Sequence, residues 1–231
     1  MSFNERPPTV ALPFCGPWLV ATSPATKVPS HGTTFLGQAF AIDFVAVDEN
    51  LARSTRMRDW RSLLWFEPPE RFLGFGAPVL APAGGTITTA HDGEADHVAY
   101  RSAVALVTFD VRQRRNRARD ITCLVGNHII MALEEGIFAL FAHLRRGSIL
   151  VRPGENVKCG EVIAACGNSG NSTEPHLHFQ LMDSTDLRRA AGRPVIFRTY
   201  ETRTNMFGWR EVTQGLPASG EIVRPLGDTR P

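Results

Sequence analysis

Two histidines separated by a single leucine, His176 and His178, directly follow a loop rich in Gly, Asn and Ser at residues 167–175. Residues 176–181 alternate polar and apolar side chains, and this period of two predicts a β-strand. Alternate residues of a strand project from one face, about 6.6 Å apart along the chain, so both imidazoles would face one space. This arrangement suits a site in which one imidazole holds a metal ion and the other handles a substrate. The spacing leaves open the alternative of two surface histidines on a hairpin.

Three more residues could contribute to such a site: Asp43, His143 and His31. Asp43 interrupts the apolar residues 39–47, which predict a buried strand, and a buried carboxylate needs a partner such as a metal ion or an arginine. Zinc takes nitrogen and carboxylate ligands tetrahedrally, and a catalytic site leaves one position for water. Two histidines, one aspartate and a water satisfy that count. The chain has no His-Glu-x-x-His motif, so histidines that do not bind the metal would have to transfer protons.

An ordered series of motifs resembles the lysostaphin-type zinc metallopeptidases, which are peptidoglycan endopeptidases with a duplicated hybrid-motif fold. The resemblance covers roughly residues 31–183. Its motifs are Pro-Val-Leu-Ala-Pro-Ala-Gly-Gly-Thr-Ile at residues 78–87, Phe-Ala-His-Leu at 141–144, Gly-Ser at 147–148, Gly-Glu-Val-Ile at 160–163, Gly-Asn-Ser-Gly at 167–170 and Pro-His-Leu-His-Phe at 175–179. It implies that Asp43 and His178 are zinc ligands, and that His143 and His176 activate water and stabilise the tetrahedral intermediate.

The third zinc ligand is the point at which the sequence departs from the family pattern. The family usually has His-x-x-x-Asp, but Ala39 stands four residues before Asp43, and the nearest histidine is His31, twelve residues upstream. We predict that His31 is the third ligand. A loop through Gly37 would return the chain so that His31 and Asp43 meet on adjacent strands.

The function implied by the resemblance is that of a zinc metalloendopeptidase that hydrolyses peptide cross-bridges of bacterial peptidoglycan, with zinc-bound water as the nucleophile. One alternative is a non-catalytic member of the family that activates or binds cell-wall hydrolases; such members lose metal ligands. Another is a phosphohistidine carrier of similar β architecture, in which Asp43 would have no evident task.

The composition, 43% hydrophobic and 21% charged residues, is that of a globular protein, and the net charge of +2 is too small to predict nucleic-acid binding. No apolar run approaches the ~18 residues of a membrane span. Residues 10–21 are broken by Pro13, Gly16 and Pro17 and do not predict an export signal, although the resemblance implies a cell-envelope or extracellular location. We expect a monomer. The four cysteines lack C-x-x-C spacing, and we expect free thiols, although Cys159 and Cys166 could approach each other.

The elements that would position these residues are many short strands separated by Gly- and Pro-containing turns, a pattern that predicts an all-β fold of mainly antiparallel strands in a sandwich or hybrid-motif sheet. We divide the chain into an extended N-terminal lead-in at 1–30 with one strand at 18–21, a core domain at 31–185 with an insertion loop at 48–76, and a C-terminal extension at 186–231 packed on the same domain. Further predicted strands cover residues 78–81, 85–90, 103–109, 121–125, 128–134, 137–144 and 161–166. Short helices are predicted at 59–64 and 186–191, and a solvated basic loop at 112–119.

Overall fold

The computed structural model describes residues 6–48, 54–55, 67–99, 121–204 and 208–227. Fifteen strands lie within these residues: β1 Thr9–Val10, β2 Trp18–Thr22, β3 Ile42–Ala46, β4 Pro78–Leu80, β5 Gly85–His91, β6 Asn127–Glu134, β7 Ile137–Leu144, β8 Asn156–Val157, β9 Val162–Ala165, β10 Leu177–Met182, β11 Gly192–Arg193, β12 Ile196–Phe197, β13 Tyr200–Arg203, β14 Arg210–Val212 and β15 Ile222–Pro225. The helices of the same residues are short: 3₁₀ helices at Phe35–Phe40 and Pro69–Arg71, and α1 at Thr122–Val125. The predicted all-β fold is confirmed.

One sheet of eleven strands dominates the structure, in the order β14-β13-β15-β2-β3-β10-β7-β6-β5-β8, with β11 paired to β10. The pairings within it are antiparallel. Two small sheets accompany it: β1 pairs with β12 in parallel, and β4 pairs with β9 antiparallel. The centre of the large sheet is therefore β3-β10-β7, the three strands that contain Asp43, His178 and His143.

The main core packs against one face of these central strands. Leu177, Phe179 and Leu181 of β10 are fully buried in it, together with Phe44 of β3 and Phe141 of β7. Period-two alternation places these apolar side chains on one face of each strand, so the residues between them, such as His178, point to the other. The opposite face carries a smaller apolar cluster that includes Leu36, Leu140, Ala142 and Met182. The site histidines lie on the side of this smaller cluster.

Three predicted elements are wrong. Residues 121–125 form α1 rather than a strand, since a short apolar run does not distinguish a strand from a short buried helix. The strand predicted at 39–47 begins only at Ile42, because Phe35–Phe40 is a 3₁₀ segment. Residues 186–191 form a hydrogen-bonded turn instead of a helix. The strand at 103–109, the helix at 59–64 and the basic loop at 112–119 lie outside the described residues, as does much of the insertion at 48–76.

Both ends of the chain contribute strands to the large sheet. The strand predicted at 18–21 is confirmed as β2, which lies between β15 and β3. The sheet thus runs through all three segments of our division at 1–30, 31–185 and 186–231, and that division stays a prediction. All four cysteines are free thiols, with Cys166 buried and Cys159 exposed. No helix among the described residues is long and apolar enough to cross a membrane.

Candidate metal centre

Strand register brings two of the predicted ligands side by side. His178 of β10 lies directly opposite Asp43 of β3, and its Nδ1 is 2.9 Å from Asp43 Oδ1. On the other side of β10, His178 pairs with Ala142, so His143 follows one residue later near the end of β7. His143 has a φ of +62°, which few residues with a side chain adopt. Such backbone strain is common at functional sites, where surrounding contacts hold it in place.

His31 reaches the same point from a turn rather than from a strand, so the predicted meeting on adjacent strands is wrong, although the two residues do meet. Its Nε2 lies 2.8 Å from Asp43 Oδ2. The turn is closed by the backbone amide of Ser30, which donates to the carbonyl of Ala39 over 3.0 Å. Together His31, Asp43 and His178 offer ligand atoms that all lie within 4.8 Å of one another.

A hydrogen-bond chain defines which nitrogen of His31 carries its proton. Ser30 Oγ lies 3.1 Å from the carbonyl of Gln38 and 3.0 Å from His31 Nδ1. The hydroxyl has one proton, which the carbonyl must accept, so the hydroxyl oxygen accepts from the Nδ1–H of His31. In the neutral ring the lone pair is then on Nε2, which faces Asp43.

A second hydrogen-bond chain defines which nitrogen of His178 carries its proton. The amide nitrogen of Gln180 donates to the carbonyl of Leu36 over 2.8 Å, and this orients the Gln180 Oε1 towards His178 Nε2, 3.0 Å away. An amide oxygen only accepts, so Nε2 of His178 carries the proton. In the neutral ring the lone pair is therefore on Nδ1, which also faces Asp43.

Two imidazole nitrogens approach one carboxylate at 2.8–2.9 Å, so a positive charge, either a ring proton or a metal ion, must lie between each nitrogen and the carboxylate. Burial acts to raise the pKa of Asp43, but the charge of His176 and the hydrogen bonds from His178 and His31 hold that pKa well below its usual value. Burial acts to lower the pKa of His178, yet the hydrogen bond and charge of Asp43, with the hydrogen bond to Gln180, raise it. Two imidazole nitrogens and a carboxylate fit the ligand chemistry of zinc, with a fourth position open.

His143 and His176 form the neighbouring wall of the site, with ring centroids 4.8 Å apart. The Nδ1–H of His143 donates to the carbonyl of Ser169 over 2.9 Å, and that of His176 donates to the carbonyl of Glu174 over 2.8 Å. Each ring thus keeps Nε2 for another partner. Burial and the positive charges of His176 and His178 lower the pKa of His143 well below its usual value, against the opposing effects of Asp43 and Ser169. The lowered pKa favours the neutral form of His143, in which Nε2 has a lone pair.

All five predicted site residues line a single cavity of about 780 Å³. Its remaining lining contains both apolar and polar residues: Thr33, Phe35, Leu36, Gln38, Ile121, Leu124, Val125, Leu140, Ala142, Asn171, Thr173, Gln180 and Arg188. The structure thus brings together every residue to which we assigned a role. The division of those roles between metal binding and catalysis stays a prediction.

The sequence profile of peptidase family M23 matches residues 72–190, just over half of the chain. The chain belongs to peptidase family M23. The resemblance to the lysostaphin-type metallopeptidases is therefore confirmed, and the family is zinc-dependent. The matched residues include His143, His176 and His178 of the candidate site, whereas His31 and Asp43 lie before the match.

Several curated proteins resemble this M23 chain over part of their length. An uncharacterised metalloprotease of Haemophilus influenzae is 31% identical over 105 residues, which are 46% of this chain and 16% of that protein. The glycyl-glycine endopeptidase ALE-1 of Staphylococcus capitis is 36% identical over 73 residues, 31% of this chain and 20% of that protein. The chain thus matches a fifth or less of these relatives. Among solved structures, the catalytic domain of the M23 protein EnpA of Enterococcus faecalis aligns over 80% of this chain and 93% of that one, with 17% identity and a TM-score of 0.44.

The residues behind the histidines of the candidate site were not among those predicted from the sequence. Gln180 continues the period-two face of His176 and His178, and this alternation could have identified it. Ser30 and Ser169 gave no such signal, because they lie in a turn and a loop, where side chains follow no period. His91 and His97, which lie near a turn, are only partly exposed, and His97 Nε2 contacts the carbonyl of Gly170 at 3.0 Å.

Proposed function

We propose that the chain is a zinc-dependent metalloendopeptidase that hydrolyses peptide cross-bridges of bacterial peptidoglycan. The observation that carries the proposal is the convergence of His31, Asp43 and His178 at one point, beside two further histidines whose Nε2 atoms are available. Relatives support the substrate class, since they include a glycyl-glycine endopeptidase and a peptidoglycan DD-endopeptidase.

His31 Nε2, Asp43 and His178 Nδ1 would hold the metal ion. Bound there, zinc would polarise the scissile carbonyl and lower the pKa of a coordinated water towards ~7. The two hydrogen-bond chains keep both imidazoles in the form that a metal needs, with the lone pair directed inwards. Asp43 supplies the negative charge that makes the site attractive to a divalent cation.

Proton transfer falls to the other pair of histidines. His143 is neutral, and its Nε2 would accept a proton from the attacking water and return it to the leaving amine. His176 stands next to it, and a proton on its Nε2 would stabilise the negative charge that develops on the carbonyl oxygen. Both rings are anchored through Nδ1 to backbone carbonyls, so their reactive nitrogens are held in place.

The complete set of donor residues supports a catalytic member over the alternatives. A non-catalytic module of the family would be expected to lack a ligand, and a phosphohistidine site would have no use for Asp43. We further propose that the protein acts as a monomer at the cell envelope or outside the cell, where its substrate lies.

The experiment is digestion of defined muropeptide dimers, one cross-linked directly through D-alanine and one through a glycine bridge, with measured zinc content. We expect one metal ion per chain and cleavage of one of the two dimers, abolished by a chelator and restored by zinc. Stoichiometric zinc with both dimers left intact would contradict the proposal and favour a non-catalytic role.

A further inference from the structure

The residues between His31 and Asp43 form a structure of their own behind the metal site. Twelve positions separate the two residues, and Phe35–Phe40 fold into a kinked 3₁₀ segment. Both hydrogen-bond chains described above end on this segment. Ser30 Oγ, the partner of His31, donates to the carbonyl of Gln38, and Gln180, the partner of His178, donates to the carbonyl of Leu36.

The backbone of this segment is bent in a way that presents those carbonyls. Leu36 and Gly37 have φ values of +59° and +74°, and residues with a side chain rarely adopt such angles. The bend places Gly37 so close to β10 that a Cβ on it would lie 2.9 Å from Gln180 Nε2. Gly192 of β11 also lies very close to this segment, since a Cβ on Gly192 would be 2.4 Å from the carbonyl oxygen of Gly37. The segment is therefore fitted tightly against the strand of His178.

We propose that the 35–40 segment is the outer coordination sphere of the metal site, and that Ser30 and Gln180 are positioning residues that hold His31 and His178 through it. The inference rests on the proposed role of these two histidines as zinc ligands. It gives a task to the residues that separate His31 from Asp43, because one segment orients two ligands that come from a turn and from a strand.

The physical basis is the fixed direction of each lone pair. An imidazole without an outer partner can carry its proton on either nitrogen and can turn its ring, so part of its population is unable to bind. A partner that accepts the outer N–H removes those states before the metal arrives. Loss of such a partner typically lowers metal affinity by about 10–100-fold.

The first test measures zinc affinity in the full chain by competition with a chromophoric chelator, without any substrate. Ser30→Ala removes the partner of His31, and Gln180→Met removes the partner of His178 at nearly constant side-chain length. We expect each to bind zinc about 10–100-fold more weakly than the unaltered protein. Thr173→Ala is the matched control, since Thr173 lines the same cavity but belongs to neither of the two hydrogen-bond chains. The zinc affinity of this variant should equal that of the unaltered protein.

The second readout is nuclear magnetic resonance of the zinc-loaded protein with ¹⁵N-labelled histidine. The unaltered protein should show exchange-protected protons on His31 Nδ1 and His178 Nε2. Ser30→Ala should remove protection from the first alone, and Gln180→Met from the second alone. A merely structural role would not produce this selectivity, and Ser30→Ala keeps the test valid if Gln180→Met does not fold.

Zinc affinities of both variants within twofold of the unaltered protein, or absence of zinc binding by the unaltered protein, would overturn the inference. Failure of this inference can be distinguished from failure of the proposed function. Muropeptides left intact by a protein that shows the expected affinities would defeat the peptidase proposal alone. Cleavage by a protein whose affinities do not respond to these variants would defeat the outer-sphere proposal alone.

Discussion

The two halves of the site are built in different ways. His143 lies in β7, His176 directly before β10 and His178 in β10, so the ladder of one sheet sets their spacing. His31 comes from a turn, and its contacts with Ser30 and Asp43 set its position. The difference teaches that register sets the backbone position of a strand residue, so that its outer hydrogen bond has only the ring to orient, whereas a turn depends on such partners for position and orientation alike. The backbone at His178 should therefore tolerate changes in its surroundings better than the turn of His31 does.

The largest effect should come from removing the strand ligand. His178→Ala leaves Asp43 without its partner opposite in the sheet, and we expect loss of both zinc and hydrolysis. His176→Ala is the matched variant two residues away, and it should lose hydrolysis but keep zinc. Metal analysis of the two purified variants shows which histidine is the zinc ligand and which is the catalytic residue. The reverse result would show that our assignment of the pair is wrong.

A variant at His143, on β7, should lose catalysis while it keeps the metal ion. His143→Ala should retain zinc, with turnover reduced by about 10²–10⁴-fold, the usual worth of a positioned proton-transfer group. Asp43→Ala should lose both properties. Zinc content and muropeptide turnover are the measurements, and equal loss of zinc from the two variants would contradict this division.

A smaller effect is expected on the turn side. His31→Ala should weaken zinc binding measurably, but less than His178→Ala, because part of the binding free energy of His31 is offset by ordering its turn. His91→Ala, a histidine remote from the cavity, should leave the affinity unchanged. Chelator competition on the three variants ranks them. If His31→Ala binds zinc as tightly as the unaltered protein, another group is the third ligand.

The smallest effect should come from Gly37→Ala. A left-handed alanine costs about 1–2 kcal/mol of unfolding free energy, and the new Cβ would press on Gln180. We expect zinc affinity to fall a few-fold, below the ~10–100-fold effect of removing an outer partner. Gly147→Ala is the control: its φ is +71° and nothing lies within 4 Å of its Cβ position. Denaturant melts should show similar destabilisation of both variants, with weaker zinc binding only in Gly37→Ala.

The strand side is also the part that could be predicted from sequence. Alternation fixed the face of His178, and β7 has the bounds predicted for it, because both signals are local and periodic. The turn side could not be predicted in the same way. The bend at Leu36 occurs in a residue that disfavours it, and long-range contacts to Gln180 stabilise it, so no local pattern shows it. At residues 121–125 the predicted strand is wrong for a different reason, since a run this short carries too little periodicity to distinguish a strand from a helix.

The position of β3 has a consequence for producing the protein. β3 covers Leu177–Phe179 of β10 along one edge, and it lies in sequence before the family-matched residues 72–190. A fragment cut to those residues would retain three site histidines but leave that edge of β10 with free backbone amides and carbonyls. Exposed apolar edges of this kind recruit strands from other molecules. We therefore expect such a fragment to aggregate, and soluble preparations to require residues from β2 onwards.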